Sequence, residues 1–249
     1  MIKIFLIVLL SLAAVFGFSV CLRDQNQIMP QKITFQTEDN VKVVGYYYEA
    51  GSSRAVLLLH MMPATKESWQ NFAEKLKKLG ISSLAMDLRG HGESTDQGGV
   101  KINYLNFEPG QHQASSKDVE AALNWLKAKG FAYNHIALVG ASIGANLALQ
   151  AIGYHPEIKT AVAISPGSDY RGIQPGPFIA AYQPDQRVLF IASHEDTGAA
   201  ITSQGFYDQI QNQSKLIMLE NAGHGTDIFE KSPATFEETI DWLDANLPK

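Results

Sequence analysis

Two rhythms of apolar and polar positions run through the chain. In the first, compact apolar runs stand between turn residues. "AVLLLH" (55–60), "ISSLAMD" (81–87), "HIALVG" (135–140), "TAVAIS" (160–165), "RVLFIAS" (187–193) and "KLIMLE" (215–220) have this form. Unbroken apolar runs of this length fit strands covered on both faces. In the second rhythm, apolar residues recur every three or four positions. "SWQNFAEKLKKLG" (68–80) places Trp69, Phe72, Ala73, Leu76 and Leu79 on one side, with Gly80 as a stop. "SSKDVEAALNWLKAKG" (115–130) and "IGANLALQAIG" (143–153) read as helices, and "GAAITSQGFYDQI" (198–210) as a weaker one because of Gly205. "SPATFEETIDWLDANL" (232–247) begins with Ser232 as N-cap and Pro233 at the first helical position, and carries the stripe Phe236, Ile240, Leu243, Leu247. Ahead of all these, "ITFQTE" (33–38) and "VKVVGYYYEA" (41–50) flank Asp39-Asn40 as a hairpin.

Strands alternating with amphipathic helices predict an α/β fold. Its central sheet is mostly parallel, with helices on both faces and an antiparallel hairpin at one edge. Residues 31–249 contain no linker or repeat and are expected to form one domain. The least regular stretch, Pro166 to Asp185, has four prolines and three glycines and is too short for a large lid.

The first twenty-one residues break the pattern. Lys3 is followed by an apolar run from Ile4 to Val20 that ends at Cys21. A secretory signal peptide, cut after Ser19, is the leading expectation. The others are an uncleaved membrane anchor, since the run approaches the ~20 residues that span a bilayer, and a lipoprotein signal using Cys21. That last reading expects a small residue where Val20 stands. All three place the protein outside the cytoplasm: periplasmic, secreted or membrane-attached. Residues 22–30 read as a polar spacer.

Composition narrows the chemistry. The 249 residues are 45% hydrophobic and 18% charged, ordinary for a globular chain. A net charge of −5 gives no basic footprint, so nucleic acid is not an expected partner. With one cysteine there is neither an internal disulfide nor a cysteine-based zinc cluster, and no metal-binding spacing or cofactor motif stands out.

In an open α/β sheet, ligands sit beyond the carboxyl ends of the strands. There, Gly140-Ala141-Ser142-Ile143-Gly144 fits G-x-S-x-G between a strand and a helix, a turn that exposes a nucleophilic serine. The plainer reading is a glycine-rich turn with Ser142 as a helix cap. A serine nucleophile needs a base. His224, in "NAGHGTD" after the last strand run, is the candidate among seven histidines. His135 lies at the opposite end of the sheet. His112 and His155 are assigned to surface loops, and His194 to a solvated one. The acid that would orient His224 is Asp196, with Glu195 and Asp169 as rivals because they too follow strands.

"GASIG", "ASHED" and "AGHG" stand in the order of the α/β-hydrolase superfamily, and "MDLRGHGES" (86–94) resembles its D-x-R-G-H-G-x-S segment. Nearly everything from Ile33 onward shares this resemblance, which is nearest to small esterase-like and dienelactone-hydrolase-like members. It implies a Ser-His-Asp hydrolase acting on a small acyl substrate through an acyl-enzyme, a carboxylesterase first of all, without a cofactor. A peptidase, thioesterase or acyltransferase with the same triad is the alternative, and a non-catalytic binding protein on this scaffold a further one. It also implies structural roles for Arg89, His91 and His60, and an oxyanion hole from the backbone N–H groups of Ile143 and Met62, with Met61 as fallback. Met61 stands where the family usually has glycine.

Overall fold

The computed structural model describes residues 29–249. The expected leader (1–21) and all but the end of the spacer lie outside the described residues.

In chain order the strands are β1 (Gln31–Gln36), β2 (Val41–Tyr48), β3 (Ala55–Leu59), β4 (Ser82–Met86), β5 (Asp96–Gln97), β6 (Val100–Lys101), β7 (Ile136–Ala141), β8 (Thr160–Ile164), β9 (Arg187–Ser193) and β10 (Ser214–Leu219). The helices are α1 (Gln70–Lys78), α2 (Pro109–Gln113), α3 (Ser116–Ala128), α4 (Ile143–Tyr154), α5 (Gly176–Ile179), α6 (Thr197–Gln209), α7 (Asp227–Lys231) and α8 (Pro233–Asn246). One sheet joins all the strands in the order β10-β9-β8-β7-β3-β4-β2-β5-β6, with β1 on β2. The run from β10 to β4 is parallel; β2 is antiparallel to β1, β4 and β5. This is the mostly parallel α/β sheet with an antiparallel hairpin that the pattern predicts, and among the described residues no large lid covers it.

The strand residues divide by parity between two cores. Leu57, Leu59, Leu138 and Phe190 face one cluster with Leu123 and Leu147; Val56, Leu58, Val139 and Ile191 face the other with Leu76 and Leu243. Residues i and i+2 share a face of a strand, so a run buried at every position needs helices on both sides. β3, β4, β7 and β8 are buried throughout, and each fully buried leucine is worth about 1.5–3 kcal/mol. β10, at the sheet edge, is only half-buried.

Several expectations change in detail. Leu79 leaves the α1 stripe and is exposed. Residues 198–210 do form helix, as α6 despite Gly205. His112 is not on the surface: Pro109 starts the short α2, which buries His112 against the ring of Phe107. The β5–β6 hairpin turns on Gly98-Gly99, a two-residue turn signal that the polar sequence around it hides.

Register places the chemistry. Leu59 pairs with Gly140, Ala141 with Ile164, Ile164 with Ile191, and Ser193 with Leu219. The loops after β3, β7, β8, β9 and β10 therefore leave the sheet side by side at one edge.

Candidate active site

Ser142 sits at the turn between β7 and α4 with φ 54° and ψ −119°, a conformation a β-carbon disfavours. Its N–H donates to the Ile164 carbonyl at 2.8 Å, and its own carbonyl accepts from Ala145 and Asn146, which locks the turn. The glycines permit it: a β-carbon on Gly144 would stand 2.3 Å from the Leu59 carbonyl oxygen, and one on Gly140 2.0 Å from that of Gly144. Ser142 occupies the N-cap position of α4, yet its hydroxyl caps nothing.

Asp196 repeats the arrangement. It is the N-cap residue of α6 and makes no side-chain cap; its Oδ2 lies 2.6 Å from His224 Nδ1. A carboxylate only accepts, so the proton is on Nδ1 and the Nε2 lone pair is left available. The structure thus brings His224 together with Asp196 rather than with Glu195 or Asp169. Asp169 instead accepts from the Gly172 N–H and the Gln174 amide within its own loop. His194 is exposed, 3.6 Å from Glu220. Among the described residues no hydrogen bond joins Ser142 Oγ to His224 Nε2; such bonds are commonly long before substrate binds.

Glu195 has a different task. It accepts the N–H groups of Asn221 at 2.8 Å and Gly223 at 2.6 Å, while Ser193 Oγ accepts that of Ala222 at 2.9 Å. The Ser193 hydroxyl and these amides hold the Glu195 carboxyl down at about 2. On the other side of His224, the Gly225 N–H donates to Ser165 Oγ at 2.9 Å. The imidazole is anchored through the backbone on both flanks.

The Asp87–Ser94 segment forms a buried polar knot. Asp87 accepts from the Lys66 backbone (2.9 Å), Lys66 Nζ (2.8 Å) and the Glu93 N–H (2.8 Å). Arg89 binds Asp118 and Asp39 at 2.8–3.0 Å. His60 is fully buried; its Nε2 accepts the Leu88 N–H at 3.0 Å, so Nδ1 carries the proton toward the Met61 carbonyl at 2.8 Å. His91 lies flat on Tyr104 with ring centroids 3.8 Å apart. Burial pushes both histidines down to about 4. Arg89, His91 and His60 hold the fold beneath the site.

The loop after β3 departs from expectation in one respect. Met61 and Met62 both have negative φ, and the Met62-Pro63 peptide is cis. The position where family members carry glycine has no need of it here. Among the described residues, the amides of Met62 and Ile143 donate to no other group. Met61 packs toward the His224 loop, where Thr226 Oγ1 is 3.9 Å from its sulfur.

An open cavity of about 980 Å³ is lined by Lys127, Tyr133, Lys159 and Asp185, at the amino ends of the strands and away from Ser142. Among the described residues, no group of three or more His, Cys, Asp or Glu is arranged to hold a metal ion. Sequence reasoning missed Ser165, and it missed Tyr170, whose ring meets that of His224 edge-on with centroids 6.5 Å apart. Ser165 directly follows β8 as Ser142 follows β7, a positional signal; Tyr170 carries none.

Residues 51–184, more than half of the chain, match the family described as serine aminopeptidase, S33. The chain belongs to this family of α/β-hydrolases. The matched segment holds the β3 loop, the polar knot and the Ser142 turn, and stops short of Asp196 and His224. An esterase of Pyrococcus furiosus superposes with a TM-score of 0.72 at 21% identity, over 89% of this chain and 92% of its own. A dienelactone hydrolase of Anabaena variabilis gives 0.64 at 20%, over 88% and 100%. An α/β-hydrolase from a Penicillium species gives 0.68 at 14%, over 87% and 98%. At these identities the likeness is one of fold. No curated protein matches the sequence.

Proposed function

We propose that this α/β-hydrolase is a serine hydrolase that cleaves an ester-like acyl bond, with Ser142 as nucleophile, His224 as base and Asp196 as its orienting acid. The observation that carries the reading is the 2.6 Å bond between His224 and Asp196, at the same sheet edge as a strained serine whose hydroxyl caps no helix. His224 Nε2 takes the Ser142 proton as Oγ attacks the carbonyl carbon. Asp196 stabilises the imidazolium. The oxyanion is met by the Ile143 and Met62 N–H groups. His224 then gives its proton to the leaving group, an acyl-enzyme forms, and water cleaves it by the same steps. A carboxylesterase is the preferred assignment. The family's description favours amide cleavage as the second reading, so the substrate panel includes peptides.

A fluorophosphonate probe tests this. It should label the parent protein at Ser142 and leave Ser142→Ala unlabelled. Labelling that persists in Ser142→Ala would move the nucleophile elsewhere, and a parent that takes no label would sink the reading. We also propose export, from the apolar run Ile4 to Val20. The mass of the mature N-terminus distinguishes cleavage, lipidation at Cys21 and retention; a retained leader on a cytoplasmic protein would refute it.

A further inference from the structure

Tyr170 packs its ring partly against the core, but its hydroxyl is held only loosely and stands at the site. Its ring meets that of His224 edge-on, with centroids 6.5 Å apart at 89°. Its hydroxyl reaches one described acceptor, the Ser165 carbonyl, at 3.3 Å, long for an O–H donor. Tyr182 shows what a structural tyrosine looks like here: it is buried, and its hydroxyl donates to the Leu149 carbonyl at 2.6 Å.

The loop that carries Tyr170 is rigid. Asn146, fully buried in α4, donates to the carbonyls of Gly167 (2.9 Å) and Ile173 (2.8 Å) and accepts the Gly167 N–H (3.0 Å). Tyr170 and Ile173 form a β-bridge, and Asp169 closes the turn through the Gly172 N–H at 2.6 Å. The ring lies directly over Gly167, where a β-carbon would come within 2.6 Å of it. A phenol held this firmly is preorganised for a ligand. Burial also raises its pKa, so it keeps its proton at neutral pH and remains a donor.

Strand order decides which substrate atom it meets. Met62 follows β3, Ser142 follows β7, and Tyr170 follows β8, on the far side of Ser142 from Met62. Asp196 and His224 follow β9 and β10, on the Tyr170 side. A tetrahedral carbon on Ser142 turns its oxyanion toward the Ile143 and Met62 amides. Its leaving group must face His224, which protonates it.

We propose that the Tyr170 hydroxyl donates a hydrogen bond to the leaving-group oxygen of the acyl substrate, and to the water that replaces it, making Tyr170 a further catalytic residue selective for poor leaving groups. This rests on the serine hydrolase reading above. The Ser142 Oγ–carbon bond forms as the Ser142 proton moves to His224. The carbon–oxygen bond to the alcohol then breaks as His224 returns that proton to the departing oxygen. Tyr170 shares its hydrogen with that oxygen and transfers none.

The test compares the parent with Tyr170→Phe on esters of one acyl group whose alcohols run from 4-nitrophenol to unactivated alkyl alcohols. Alkyl esters should lose about tenfold or more in kcat/KM, the scale of one hydrogen bond to developing charge, and 4-nitrophenyl esters less than about twofold. Fluorophosphonate labelling, whose fluoride leaves readily, should keep its rate. An equal loss on every ester, or no loss on any, overturns the proposal while labelling of the parent keeps the triad standing. A parent that is neither labelled nor active overturns the underlying reading as well. Should Tyr170→Phe not fold, Tyr170→Leu, which also removes the donor, gives the decision: alkyl and nitrophenyl esters must separate in the same direction.

Discussion

Two clusters of histidine and carboxylate lie within this fold, and they differ in what is left unspent. In the knot at the carboxyl ends of β3 and β4, His60 uses both ring nitrogens, Asp87 accepts three donors, and Arg89 is shared by the buried Asp118 and the half-buried Asp39. His224 and Asp196 are themselves only half-buried, and among the described residues the His224 Nε2 lone pair is taken by no hydrogen bond. The residue types are the same. Burial with partners for all but His91 Nε2 makes a brace, and partial burial with one position open makes a candidate for chemistry.

The sharpest way to break this comparison is to remove the acid. Asp196→Asn keeps the volume but offers His224 Nδ1 an amide that can impose the wrong tautomer. We expect kcat to fall by about 10⁴-fold, the scale found when a triad aspartate becomes asparagine, with an unchanged unfolding midpoint because Asp196 is not a packing residue. A loss below about tenfold in steady-state assays would remove Asp196 from the triad.

The knot should show itself in pH dependence instead. His60 and His91, ordinarily near 6.5, are held at about 4 by burial. Between those values the unfolded chain binds protons that the folded chain refuses. Stability is therefore fully present above about pH 6.5 and is lost as pH falls toward 4, by about 3 kcal/mol per histidine. Urea unfolding of the parent between pH 7 and 5 should trace this loss, and His91→Phe should flatten it by about half. The difference between the two curves cancels the carboxylates common to both. Among these is Asp118, raised to about 6 by burial, which acts with the opposite sign. Parallel curves would show that His91 does not titrate on unfolding.

Much of this molecule can be read in its sequence. The runs around Leu57, Val139 and Phe190 are apolar at every position because both sheet faces are covered, and that alone announces parallel strands. G-x-S-x-G located Ser142 because the elbow needs small residues at 140 and 144. Asp196 and His224 followed from strand ends. What stayed hidden depends on tertiary hydrogen bonds with no periodic trace. Tyr170 is brought in by a buried asparagine on another element. His112 is buried by a helix too short to show amphipathicity. Glu195 and Asp196, adjacent in sequence and equal by position, part only when the Asn221–Gly225 loop folds over them.

That adjacency provides the finest test of the comparison. Glu195 is as exposed as a solvated surface carboxylate, yet it holds two amides of the loop bearing His224. A purely surface group would be neutral on replacement, and a brace would cost stability. A positioning residue should do neither. In Glu195→Gln one oxygen remains to accept one amide, and the other amide turns to water. The imidazole then samples more orientations, and displacements of an ångström in a reacting group can cost up to about a hundredfold. Because His224 stays tethered through Asp196 and through Gly225 to Ser165, we expect only about a tenfold fall in kcat, with KM and the unfolding midpoint unchanged. The charge itself is not the agent, since a carboxyl held at about 2 is ionised throughout any practical assay range and leaves the pH profile of kcat in place. A variant with raised KM and intact kcat would move Glu195 into the substrate's path. One that matches the parent in both would return it to the solvent.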